Sequence, residues 1–318
     1  MKPLRWAVAI SVSVGGIWFA LRGVRWADVG AAMERVRFPW LLLFVPLAAG
    51  AEYVIREERW RLLLEQSPKQ RGLLFPIVAG AFFMNTALPF RAGEAARIFW
   101  THRQTGRPLA GTVAALAVDR LMDSLALVLL FSTALVARPS TTLPRGAVPA
   151  VMGMAIAGLI FFVVLARYSQ KGGEWIASLP LPVFVRRVLT SFLSGAAPLR
   201  SFKTLGAALI LSALLWCLIA AIFFGVGRAF GLPLTWPDAT LLLAGIALGV
   251  ALPSTPGFIG TYEAAGVGTL SLLGYDKSVA FPFVASIHLI QITGTALWGV
   301  PSLLIMVRQR EKKILQDL

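Results

Sequence analysis

The sequence predicts an all-α protein that crosses a membrane several times, and three observations lead there. Of the 318 residues, 57% are apolar and only 14% are charged, against roughly 25% charged in ordinary soluble domains. The apolar residues gather in long runs separated by basic clusters, which is the pattern of spans and cytoplasmic loops. Their total is enough for roughly eight or nine crossings of about 20 residues each. A typical soluble enzyme is excluded. The net charge of +15 would point to nucleic acid in a soluble chain, but beside these spans it points to anionic lipid, and no nucleic-acid partner is expected. Cys217 is the only cysteine, so an internal disulfide and a multi-cysteine metal site are both excluded.

Six crossings follow in order. Lys2 and Arg5 precede the run Trp6–Leu21 in the manner of a signal peptide, yet no convincing small-residue cleavage site stands before Arg22, so an uncleaved first span is expected. The others are Phe38–Ile55, Leu109–Ala137, Val148–Ala166, Leu205–Val226 and Val279–Val307. Between Arg167 and Lys203, Phe184, Val188, Leu189 and Phe192 share a helical face. That segment reads either as a helix on the inner leaflet or as a connecting loop.

Two regions, Leu73–Trp100 and Ala239–Gly274, are broken by proline, glycine and polar residues where a span should continue. They resemble each other: AGAFFMNTALPFRAGEAARIFW from Ala79 and AGIALGVALPSTPGFIGTYEAAGV from Ala244 share AG, ALP, a glycine-bearing break and EAA. Pieces as short as Ala239–Leu252 and Tyr262–Gly274 cannot span a core of about 30 Å, so each region reads as a re-entrant hairpin. Three crossings lie between the hairpins, which places them on opposite faces. The expectation is one membrane domain, 1–318, made of two inverted-topology repeats, about 1–138 and 139–318, each with three crossings and one re-entrant hairpin. With the N-terminus inside, inner segments hold 20 basic residues against 8 outside, which predicts cytoplasmic termini and the cytoplasmic (plasma) membrane as location.

Ionisable residues inside spans are costly, so they face one another or a wet cavity. Here they are Glu52, Arg91, Glu94, Arg97, Asp119, Arg120, Asp123, Glu263 and His288. Arg91, Glu94 and Arg97 are spaced so that Glu94 can pair with either arginine, and Asp119 and Asp123 share a helix face. Arg91, beside the Pro89 break, reads as the holder of an anionic group, because the arginine fork suits phosphate and a helix N-terminus adjoins it. Alternatively the cluster is a structural ion-pair network; the two roles are compatible. In the second break Pro253, Ser254, Thr255, Pro256, Gly257 and Gly260 supply a sharp turn, hydroxyls and exposed amides, with Glu263 a turn beyond. His288, Gln291 and Thr295 form one polar stripe, which reads as a hydrogen-bonded histidine or as a proton relay. There is no GxxxxGKS or GxxxxGKT loop, no HExxH and no GxSxG, and the only histidines are His102 and His288, so no cofactor or metal is expected. Asp119 and Asp123 could serve an enzyme only weakly.

NTALPFRAGEAAR from Asn85, VDRLMDSLAL from Val118 and LPSTPGFIGTYEAAGV from Leu252 resemble signature segments of the lysylphosphatidylglycerol synthase transmembrane, or flippase-like, family. EERWRLLL from Glu57 is similar to a weaker family feature. The resemblance covers essentially the whole chain, and the LP-x-R-x-GE-x-x-R and P-x-x-PG-x-x-G-x-x-E patterns are its most specific parts. It implies a membrane domain that, in larger members, moves aminoacylated phosphatidylglycerol between leaflets. It also implies that Asn85, Arg91, Glu94, Arg97, Asp119, Arg120, Asp123, Pro253, Pro256, Gly257 and Glu263 are functional positions. The soluble aminoacyl-transferase domain of two-part members is not found up to Leu318, so a stand-alone member is expected, without synthesis of lysyl lipid. Some stand-alone members are associated with hopanoid or other isoprenoid lipids.

The expected function is therefore lipid translocation without ATP hydrolysis, not enzymatic. The lipid would be an anionic or aminoacylated phospholipid or an isoprenoid lipid bearing phosphate. Pro89 and the two helix breaks would help Arg91 hold it, with Glu52, His288 and Gln291 available for proton coupling. The alternatives are a membrane-embedded enzyme acting on a polyprenyl or phospholipid phosphate, and a non-catalytic partner of a lipid-synthesis enzyme.

Overall fold

A computed structural model describes residues 2–34, 38–66, 72–88, 91–138, 147–195, 197–252 and 254–316. Among them every regular element is helical. In chain order these are α1 (Lys2–Leu21), α2 (Trp26–Glu34), α3 (Phe38–Leu63), α4 (Phe75–Ala87), α5 (Ala92–Thr105) and α6 (Leu109–Ala137). Then follow α7 (Ala147–Ser178), α8 (Val183–Gly195), α9 (Phe202–Ala229), α10 (Trp236–Gly249), α11 (Thr261–Leu272) and α12 (Lys277–Gln316), with short 3-10 turns at Ala197–Arg200 and Pro256–Phe258. Each of the six sequence-defined crossings falls within a separate long helix: α1, α3, α6, α7, α9 and α12. Phe202–Ala229 and Lys277–Arg308 are long and apolar enough to cross a membrane.

Local chemistry sets the ends. Thr235 and Asp238 form a reciprocal capping box at the start of α10, whose first turn also holds Pro237. Gly106 closes α5 in the left-handed region at φ 70°, its N–H donating to the carbonyl of His102. The two interrupted regions each yield a pair of short helices, of 13 and 14 residues for α4 and α5, and 14 and 12 for α10 and α11. At 1.5 Å per residue none reaches about 30 Å. Within each pair the helices pack on one another, and each pair also lies between α6 and α12: α5 and α10 touch α6, while α4 and α11 touch α12. Helix α3 packs on α9 at the centre.

The structure changes one sequence expectation and decides between two alternatives at another. Helix α3 continues past Ile55 to Leu63 and buries Arg56, Arg59, Arg61 and Trp60, so these arginines do not sit in an open loop. With them and buried Arg97 set aside, the inner count of 20 basic residues falls to 16 against 8. The segment after Ala166 is helical rather than a loop. Helix α8 lies on α6 and α7, with Phe192 and Leu193 turned to the core and Val183, Phe184 and Val188 exposed.

Candidate functional site

Beneath the site lies a buried ionic floor. From α3, Arg59 Nε donates to Asp119 Oδ1 at 2.8 Å, while Nη1 reaches Asp123 Oδ1 and the Ser212 hydroxyl, each at 2.8 Å. From α5, Arg97 Nη1 donates to Asp119 Oδ2 at 2.9 Å, and its guanidinium lies 3.9 Å from the ring centre of Trp60. Trp216 Nε1 donates to Asp123 Oδ1 at 3.2 Å. Four helices, α3, α5, α6 and α9, are thereby tied through two carboxylates. Arg59 and Asp119 are each 1% exposed, a depth at which charge is tolerated only when paired and hydrogen-bonded.

Above the floor a cavity of about 520 Å³ opens between the two helix breaks. Its polar wall carries Glu52, Tyr53 and Arg56 of α3, Asn85 and Thr86 of α4, Arg91 and Glu94 at α5, and Arg120, Asp123 and Ser124 of α6. Glu52 binds Arg56 at 2.8 Å. Glu94 binds Arg120 Nε at 3.0 Å rather than either arginine of its own helix, a correction to the i, i+3 expectation. The next helix offered a closer cation than the same turn did.

Arg91 is different. Its backbone is left-handed, at φ 52° and ψ 42°, a conformation that costs a non-glycine residue roughly 1–3 kcal/mol and gathers at functional sites. It is exposed, faces the cavity, and donates from Nη2 to the carbonyl of Val250 at 3.2 Å, joining the two breaks. Among the described residues it forms no ion pair. The neighbouring helix N-terminus is not wholly free, because the Glu94 N–H donates to Asn85 Oδ1 at 3.2 Å.

The second break is held by side chains behind the wall. Glu263 Oε2 accepts from the Gly260 N–H at 2.7 Å, and Oε1 lies 2.5 Å from His288 Nδ1. His288 Nε2 lies 2.7 Å from the Gly257 carbonyl oxygen, so both ring nitrogens are engaged. The Tyr262 ring stacks on this imidazole at 4.0 Å. Ser13 of α1 binds Thr255 twice, hydroxyl to hydroxyl at 3.0 Å and accepting from its N–H at 3.1 Å.

Of the sequence-derived site residues, Asn85, Arg91, Glu94, Arg120, Asp123, Glu52, His288 and Gln291 converge on the cavity. Arg97 and Asp119 lie in the floor, and Ser254, Thr255, Pro256, Gly257, Gly260 and Glu263 build the second break away from the lining. Pro89 and Pro253 lie outside the described residues. Gly257 takes a positive φ of 75°, but a Cβ there would meet nothing nearer than Ile259 at 3.6 Å. Close backbone approach belongs instead to Gly260, where a Cβ would overlap the Ser13 backbone.

Sequence reasoning missed Arg56, Arg59, Tyr53, Trp216 and Tyr262. The signal for Arg59 was its place in the EERWRLLL run; nothing local marked Trp216. Among the described residues no group of three His, Cys, Asp or Glu could hold a metal.

No curated protein and no solved structure matches this chain. The family described as Lysylphosphatidylglycerol synthase TM region matches residues 6–299, and the chain belongs to that family of membrane domains linked to lipid metabolism.

Proposed function

We propose that the cavity binds a phosphate-bearing lipid and passes it between leaflets without nucleotide hydrolysis. The observation that carries this reading is Arg91, a cavity cation without an acidic partner among the described residues, while Arg56 and Arg120 are neutralised by Glu52, Glu94 and Asp123. An unpaired guanidinium fork suits phosphate oxygens. Tyr262 supports the same reading: it faces the cavity, is 2% exposed, and its hydroxyl has no partner among the described residues. The placement of both short-helix pairs between α6 and α12 supports inverted repeats over about 1–138 and 139–318, and the partition of basic residues supports cytoplasmic termini in the cytoplasmic membrane. The substrate classes are anionic or aminoacylated phospholipid and isoprenoid lipid, with a lipid-synthesis enzyme as partner. Asp119 and Asp123 are engaged by Arg59, Arg97 and Trp216, which favours translocation over the membrane-embedded enzyme.

The test is leaflet exchange of labelled phosphate-bearing lipids by purified protein in liposomes. Exchange faster than in protein-free vesicles is expected, and equal rates would contradict the proposal.

Tyr262→Phe separates binding from folding. Removing an unpaired buried hydroxyl should leave thermal stability in detergent unchanged or raised, since such a group costs about 1–3 kcal/mol. Exchange should fall by roughly 2- to 10-fold, the equivalent of one hydrogen bond. Lower stability with unaltered exchange would make the hydroxyl structural.

A further inference from the structure

The charges on the cavity wall are segregated. Glu52, Arg56, Arg91, Glu94, Arg120 and Asp123 all come from one stretch of chain, whereas the wall supplied by α9 and α10 has no ionisable side chain. On that second wall Ile219, Ile222, Phe223, Leu243 and Ile246 are each less than a tenth exposed and yet face the cavity, and Ala247 leaves space between them. The exposed members of the lining are Arg91, Ser124, Ala251 and Gln291, so the opening lies on the polar side and the apolar wall lies deep. Protein interiors are ordinarily packed to the density of organic crystals. A space of about 520 Å³ held open against such a wall matches the size and lining of sites that enclose a mostly apolar ligand. A head group alone would leave the α9–α10 wall facing water, and a hydrocarbon alone would leave Arg91 with only the Val250 carbonyl and the Tyr262 hydroxyl with no partner among the described residues.

We infer that the α9–α10 wall is a chain subsite, which holds one hydrocarbon chain of the same lipid whose phosphate Arg91 binds. The inference rests on the phosphate reading above and deepens it: the chain enters the protein instead of trailing wholly in the bilayer. Acyl and prenyl chains share this chemistry.

Photolabelling distinguishes them. Protein in liposomes is photolysed with phosphatidic acid carrying a diazirine midway along one acyl chain and, in a second arm, with a prenyl phosphate carrying a diazirine in its chain. Labelled residues are then located by mass spectrometry. Labels are expected on residues 219–223 and 243–247, and are expected to be lost in Ala247→Trp, whose indole fills the subsite. The arm with the heavier labelling identifies the chain. Labels confined to the outward-facing Leu214 and Leu248 in both arms would overturn the inference, and the wild-type map decides this even where Ala247→Trp does not fold. Interior labelling that survives Arg91→Gln unchanged would uphold the chain subsite and overturn the phosphate reading, so the two failures are distinguishable.

Discussion

Asp119→Ala is expected to lower the free energy of unfolding by about 3–5 kcal/mol, because removing one partner strands buried charge. Arg97 would lose its carboxylate at 2.9 Å and keep only the face of Trp60, while Arg59 would retain Asp123 and Ser212. Arg97 is 1% exposed, so water cannot replace the lost oxygen without opening α5 from α6. Thermal unfolding in detergent measures the loss. The double variant Arg97→Met with Asp119→Leu removes both charges and should be more stable than Asp119→Ala alone. Equal stability of Asp119→Ala and wild type would place this cluster in water and dissolve the floor.

Gly260→Ala should cost roughly 2–6 kcal/mol, summing a strained backbone and an overlap with packed atoms. The residue has φ 92°, and an added Cβ would lie 2.7 Å from the Ser13 carbonyl carbon, a backbone atom that cannot rotate away. Moving α1 would also break the Ser13 contacts to Thr255. Gly257→Ala carries the strain without the overlap, so it should cost about 1–3 kcal/mol. Comparing the two unfolding temperatures checks the assignment. A larger loss at Gly257 would place the close approach at that position instead.

These two variants mark where local reading ends. The long helices were legible because uninterrupted apolar runs of span length have few alternatives. The breaks were legible because proline and glycine interrupt helices for steric reasons. Arg59 was not legible. The charges of EERWR read as the edge of a span, and only long-range partners, Asp119 at 60 residues' distance and then Asp123 and Ser212, account for the burial of Arg59. The partner of Glu94 was misread for a related reason, since spacing on one helix says nothing about the arginine that the next helix presents. Tyr262 lies inside a segment singled out from sequence, but the segment cannot show that its hydroxyl is buried beside the cavity with no partner among the described residues while Glu263, one residue on, turns away to His288.

The ionic floor, the His288 lock and the left-handed Arg91 have one consequence in common: a guanidinium is held at the cavity between two fixed helix breaks. Leaflet exchange of a phosphate-bearing lipid by Arg91→Gln, compared with wild type and Arg91→Lys in the same liposomes, tests that consequence directly. Arg91→Gln should nearly abolish exchange while unfolding at the wild-type temperature, and Arg91→Lys should fall between, since lysine keeps the charge but loses the bidentate fork. Well-folded Arg91→Gln moving lipid at the wild-type rate would contradict the phosphate site and leave the polar cluster a purely structural network.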